Sequence, residues 1–281
     1  MSRTSASSGP DAMRTSALAP VALALSVALA SSSAQDSGEK TDKTFFTRRD
    51  LAWVAGGMAA SGLVSVFDKR IENWWQQPSR QGTQSRHDAV KALTTINETP
   101  LTLAAVGVYA VGRLAHAKTV GDVGAHWMQA MVLTVATSEM IRGPLGRARP
   151  RASPDDQYRF DFGGGFSKFE DRAWPSLHAA AAFATATVFV EEMRERNASA
   201  TPVVAPLLYA AATIPGFTRM YLNQHWASDI VAGSVLGALI GSRVVTYGHR
   251  HHTKIDRWLL GATLVPTAAG GVDVGLNLSI R

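Results

Sequence analysis

The chain has 281 residues, enough for one sizeable core with appendages, and 46% of them are apolar. Only 18% are charged, and the excess of basic over acidic side chains, 28 − 22 = 6, gathers largely in "RGPLGRARPR" (142–151). That clustering points to a local anionic partner and away from general nucleic-acid binding, while the lack of cysteine excludes disulfides, thiolate metal sites and cysteine nucleophiles.

In chain order, the apolar run "TSALAPVALALSVALASSSAQ" follows Arg14 and has the length of a signal-peptide core, closing at Ser32-Ser33-Ala34. Residues 1–34 are therefore expected to be a signal peptide, with Met13 an alternative start; a retained first membrane helix is the other reading. Both send the chain into the export route. Residues 35–49 are polar and read as a solvated linker. From 50 to 252, apolar stretches recur near 51–67, 99–115, 123–141, 177–193, 202–217 and 229–247. Each falls short of, or just reaches, the roughly 20 residues of a full membrane span. The Ala-rich "AAAAFATATVFV" suits closely packed membrane helices.

A soluble helical bundle accounts for the modest hydrophobicity equally well. Six such stretches in series are many for one small core, however, and Trp74-Trp75 stands where an interfacial anchor would. The expected fold is thus all-α, a membrane-embedded bundle of about six helices. In the tail, 253–281, Val272, Val274, Leu276, Leu278 and Ile280 alternate with small or polar residues, which is strand periodicity. With "LLGATLVP" upstream, a small β-hairpin is expected.

Three groups of residues carry candidate chemistry. Arg142 and Arg149, separated by six residues and followed by Pro150, offer forked, permanently charged donors for phosphate oxygens; they equally suit the basic flank of a membrane helix. "WPSLH" (174–178) opens an apolar helix, where free backbone N–H groups, Ser176 and His178 suit an anion, or serve only as a cap. In "TRMYLNQHWASD" (218–229), His225 and Asp229 are four apart, so on a helix they share a face and the carboxylate orients the imidazole; a helix-end ion pair is the plainer reading.

Taken together, Arg-x6-Arg-Pro, Pro-Ser-x-His and Arg-x5-His-x3-Asp resemble the three-part signature of the type 2 phosphatidic acid phosphatase superfamily. The resemblance implies that Arg142, Arg149 and Arg219 bind the phosphoryl oxygens with Ser176 and the N–H of Leu177. It further implies that His225 is the nucleophile, that Asp229 orients it and that His178 protonates the leaving oxygen, with no metal or other cofactor. Arg142 stands where the family usually has Lys, Leu177 where it has Gly and Thr218 where it has Ser. No catalytic group is lost, although Leu177 crowds the pocket.

The implied function is a phosphatase acting on a phosphomonoester or pyrophosphate, with a lipid-linked phosphate as partner and a periplasm-facing site in a bacterial inner membrane. A soluble periplasmic acid phosphatase, a vanadate-dependent peroxidase and an inactive phosphate-binding scaffold are the alternatives. Two motifs fall outside this reading. "HRHH" (249–252) has metal-binding residues but reads as a polar flank, and "FGGGF" (162–166) gives 151–173 the freedom to close over a headgroup.

Overall fold

The computed structural model describes residues 45–251, 262–267 and 272–276. The expected signal peptide, most of the linker, residues 253–261, and Leu278 and Ile280 lie outside the described residues. The last part of the linker does not behave as one. Thr47 caps a helix beginning at Arg48, its Oγ1 accepting from Asp50 N (3.3 Å) while its own N–H donates to Asp50 Oδ2 (2.7 Å). Phe45 joins the core, and its carbonyl accepts from Arg243 Nε at 2.7 Å.

All six apolar stretches are helical. They form α1 (Arg48–Ser65), α5 (Glu98–Leu114), α6 (Lys118–Leu145), α7 (Leu177–Glu195), α8 (Thr201–Tyr221) and α9 (Ala227–Arg250). Three shorter helices not expected from hydropathy, α2 (Asp68–Trp75), α3 (Pro78–Gln81) and α4 (Gln84–Leu93), link α1 to α5. The tail strands β1 (Ala262–Pro266) and β2 (Val272–Leu276) pair antiparallel with Leu264 opposite Val274.

By length and composition, α8 and α9 are apolar enough to cross a membrane, and α1 with α2, bent by 60°, makes a third candidate span. Around the bundle, Leu51, Leu63, Leu103, Val132, Met140, Val203 and Leu207 point outward. An apolar surface of that extent is costly in water and suits a lipid surround. Trp75 instead turns inward, packing on Phe217 and Tyr221 with ring centroids 6.3 Å away.

Helix α9 is central and packs on α7, α1 and α6. Its contact with α7 is the tightest, because Gly233, Gly237 and Gly241 line up one helical turn apart against the Ala-rich face of α7. A Cβ on Gly237 would lie 2.0 Å from the carbonyl oxygen of Ala180. The alanine run is therefore half of a small-residue interface. This contact brings the start of α7 beside the start of α9, where Ser176 N donates to Asp229 O at 3.0 Å. Gly237→Ala should force the two backbones apart and cost about 1–3 kcal/mol, the usual penalty of overpacking. Unfolding of purified protein in detergent measures it.

Candidate active site

Helix α6 ends at Leu145, and Gly146 follows in the left-handed region (φ 61°), where a Cβ would collide with Asp161 O. Arg149 therefore lies in the connection beyond the helix and does not end it. Residues 147–173 run back over this end of the bundle, with Ala148 N on Arg159 O (3.0 Å), Asp161 N on Gly146 O (2.8 Å) and Arg149 N on Glu170 O (2.8 Å). Gly165 sits so close to the carbonyl of Arg142 that a Cβ would come within 2.2 Å. Gly165 of "FGGGF" thus lets this segment dock on the end of α6, while Gly163 takes the left-handed conformation (φ 83°) with open space around it.

Pro175 precedes helix α7 and is not in its first turn; Ser176 is the N-cap. No side chain caps this end, and Ser176 Oγ is fully buried without a hydrogen-bond partner among the described residues. The first N–H groups of a helix have no intrahelical acceptor, so the amides of the first turn and Ser176 Oγ form a buried cluster of donors.

The three arginines of the motifs converge on this end. Arg142 donates from Nε to Arg172 O (3.0 Å) and pairs with Glu139 (3.0 Å). Arg149, 3% exposed, meets no carboxylate among the described residues. It donates to Gln224 Oε1 (2.8 Å) and lies 4.1 Å from the centroid of Phe169. Arg219 contacts the ring of His178, and its Nε is buried without a partner among the described residues. Glu98, at the start of α5, places a carboxylate oxygen 3.7 Å from His178 Nδ1. Burial, then the like charges of Arg142, Arg151 and Arg219, lower the pKa of Arg149, so an anion here would relieve both repulsion and desolvation.

His225 does not share a helical face with Asp229. It lies in the connection between α8 and α9, with Trp226 as N-cap and Asp229 at the third helical position. Asp229 reaches back to accept from Trp226 N (2.8 Å), and this capping contact brings its Oδ2 within 3.4 Å of His225 Nδ1. The separation is longer than an aligned hydrogen bond. Burial, followed by the charges of Arg149, Arg142 and Arg219, holds the His225 pKa well below the ordinary imidazole value. The ring is therefore neutral, with a lone pair to give.

Behind it lies a group that sequence reasoning missed. Arg147, 3% exposed, donates from NH1 to Asp229 Oδ1 (2.6 Å) and Ser228 Oγ (2.8 Å), and from NH2 to Asp68 Oδ2 (2.9 Å). Asp68 also accepts from Ser228 N at 2.9 Å. Arg147 sits in the same basic run as Arg142 and Arg149, and local sequence does not distinguish it from them. Asp68, Glu98 and Gln224 carry no local signal of a role.

Thus the eight residues singled out, Arg142, Arg149, Ser176, Leu177, His178, Arg219, His225 and Asp229, meet at one end of the bundle, on the ends of α6 to α9 and the connections between them. Residues 125–252 match the model of the PAP2 superfamily.

The match is confined to this segment, under half of the chain. It begins in α6 and takes in all three motifs, leaving α1 to α5 outside. A Lipid A 1-phosphatase of Porphyromonas gingivalis is 39% identical over 69 residues, 25% of this chain and 15% of that protein. A Lipid A 4'-phosphatase of Bacteroides thetaiotaomicron is 28% identical over 166 residues, 52% of this chain and 66% of that protein. The chain spans less than two thirds of either relative. In fold, it resembles the transmembrane PAP2 type phosphatidylglycerolphosphate phosphatase from Bacillus subtilis, with a TM-score of 0.51 at 16% identity. That match covers 72% of this chain and 94% of the other, and it agrees with the expected all-α, membrane-embedded bundle.

The buried network around Arg147 makes a direct prediction. Arg147→Leu leaves Asp68 and Asp229 buried without their counter-charge and should destabilise the protein by about 3–5 kcal/mol. Arg151→Leu, at a surface ion pair with Glu170, should cost about 1 kcal/mol or less. Paired denaturation curves in detergent compare the two.

Proposed function

We propose that this protein is a phosphatase that takes a phosphoryl group from a lipid-linked phosphomonoester or pyrophosphate through a phosphohistidine intermediate. The observation that carries the reading is the uncapped, buried start of α7 facing Arg142, Arg149, Arg219 and a neutral His225. A phosphoryl group there receives hydrogen bonds from Ser176 Oγ, the Leu177 amide and the guanidinium groups, and their charge stabilises the transition state.

With Nδ1 toward Asp229, Nε2 of His225 is the atom that attacks phosphorus. Burial and the charges of Arg219, Arg142 and Arg149 disfavour protonation of His178. The negative charge of the bound phosphoryl group offsets those guanidinium groups and lets His178 carry the proton that it gives to the leaving oxygen as the P–O bond breaks. Water, losing its proton to His178, then attacks phosphorus, the P–N bond breaks and phosphate leaves. Asp229 positions the nucleophile, and Arg147 and Asp68 hold Asp229. The three arginines supply the positive charge, so no step calls for a metal.

Two things favour a lipid. The relatives bear names of lipid phosphatases, and the docked segment exposes Tyr158, Phe162, Phe166 and Phe169, the last with its ring against Arg149. Aromatic side chains of this kind belong at a membrane interface. The signal-like N-terminus argues that this interface is periplasmic, in a bacterial inner membrane.

His225→Gln should lower phosphate release by about a thousand-fold or more, whereas Asp229→Asn should keep a measurable remainder. Retention of near wild-type release by His225→Gln would overturn the mechanism. Turnover should proceed in EDTA, and vanadate should inhibit as a mimic of the pentacoordinate state.

The pH dependence follows from the depressed pKa of His225. Its nucleophilic form persists as pH falls, so the acid limb of kcat/KM assigned by the variant should lie below pH 6.5, the ordinary imidazole value. An acid limb at or above that value would mean a nucleophile in an ordinary environment.

For orientation, Ser167→Cys provides a single thiol in the exposed part of the docked segment. A membrane-impermeant thiol reagent should label it in intact spheroplasts. Labelling only after lysis would place the site on the cytoplasmic side. A protein that washes off the membrane and turns over soluble and lipid phosphates equally would be a periplasmic acid phosphatase.

A further inference from the structure

At the other end of the bundle, the start of α6 and the ends of α7 and α9 bring together His126, Glu192 and His249, one residue from each helix. Their donor atoms all lie within 4.8 Å of one another. From Ser176 to Glu192 is 16 residues along α7, about 24 Å at the helical rise, so this cluster is well separated from the phosphate site. His249 opens the "HRHH" motif, which has no part in the phosphatase reading. His252 of that motif lies outside the described residues.

The cluster is built into the packing. His126 and Glu192 are each 2% exposed, and His126 Nδ1 contacts Glu192 Oε1. His249 Nε2 is 3.2 Å from Glu192 Oε2, and the two imidazoles stand with centroids 5.2 Å apart. Gly248 makes the space, since a Cβ there would come within 2.7 Å of His126 Nε2. Around this core, Asp122 and Glu195 add negative charge near His249.

A buried carboxylate needs a cation. One is Arg196, which contacts Glu192 Oε2 from one turn further along α7. Its side chain is 30% exposed, so it has room to swing into solvent. That frees the carboxylate, whose oxygens lie against both imidazoles.

We propose that His126, Glu192 and His249 form a binding site for one divalent transition-metal ion of the Zn2+ class. Two imidazoles and a carboxylate suit zinc and its neighbours, whereas magnesium and calcium take oxygen ligands. Zinc donors at about 2.0–2.1 Å from the ion stand roughly 3.4 Å apart, so no separation in the cluster needs to close by more than about 1.4 Å, and His249, with its side chain 31% exposed, has the most room to adjust. A bound ion ties together α6, α7 and α9, the helices that carry Arg142, His178 and Asp229 at the far end. The ion is a structural clamp distant from the reaction, and its loss in chelator lowers stability without stopping turnover.

The test uses full-length protein in detergent, purified without a polyhistidine tag and freed of metal by chelation. Titration with Zn2+ should give one ion per chain and a higher melting temperature, with Mg2+ doing neither. His249→Gln, at the partly exposed position, and Glu192→Gln should each weaken Zn2+ binding by more than about ten-fold, the loss that even an outer-shell partner can cause. Arg196→Gln, which removes the competing cation, should tighten it. Phosphate release by His249→Gln, or far-UV circular dichroism if the protein lacks that activity, confirms that the variant is folded. Wild-type protein that takes up no Zn2+, or a folded His249→Gln that binds it as tightly as wild type, would overturn the proposal.

Discussion

The close approach of α7 and α9 is the constraint on which the rest depends. Alanine on one helix and glycine on the other let the backbones come within a distance that any larger pair would forbid. Hydrophobic burial alone would not specify such closeness in a lipid surround, where tails are as apolar as leucine. The small residues allow van der Waals contact along both helices, and that contact sets their register. Because the helices are locked side by side, the amide of Ser176 meets the carbonyl of Asp229, and two sequence motifs about fifty residues apart become one surface.

Electrostatics then divides the basic cluster into two layers. Arg147 is consumed by Asp229 and Asp68 in a closed, fully buried network. Arg149 meets only carbonyl and amide oxygens and an aromatic face. One arginine therefore fixes the scaffold of the site, while the other keeps its charge available to an anion. The neutral His225 lies between these layers, its protonation opposed by burial and by three guanidinium groups. In the proposed function, that positive charge would bind phosphate and, together with burial, keep the nearby imidazole in its neutral, nucleophilic form.

The segment over the site follows the same economy. Gly146 turns the chain sharply, Gly165 lets it lie on the end of α6, and backbone hydrogen bonds hold it there. Its aromatic side chains are left facing outward, so order at the site and apolar exposure at its rim come from one connection.

The six long helices were legible in the sequence, because a helix that must be apolar over several turns leaves a long neutral run between charges; the short polar helices α2 to α4 leave no such run. The tail strands were legible from their two-residue period. The candidate site residues could be named because their types and spacing form a set, and the structure gathers that set at one end of the bundle. Local spacing nevertheless gave a wrong cause for the pairing of His225 with Asp229. A helical face and a capping contact both bring residues four apart together, and only the start of α9 distinguishes them. Asp68, Arg147, Glu98, Gln224 and the His126–Glu192–His249 cluster were beyond reach for a more general reason. Their partners lie tens of residues away, and a charged residue in a sequence looks the same whether it faces water or a buried counter-charge. Composition and period determined which segments are helices; the tertiary structure alone decided which charges meet, because that depends on how closely two backbones pack.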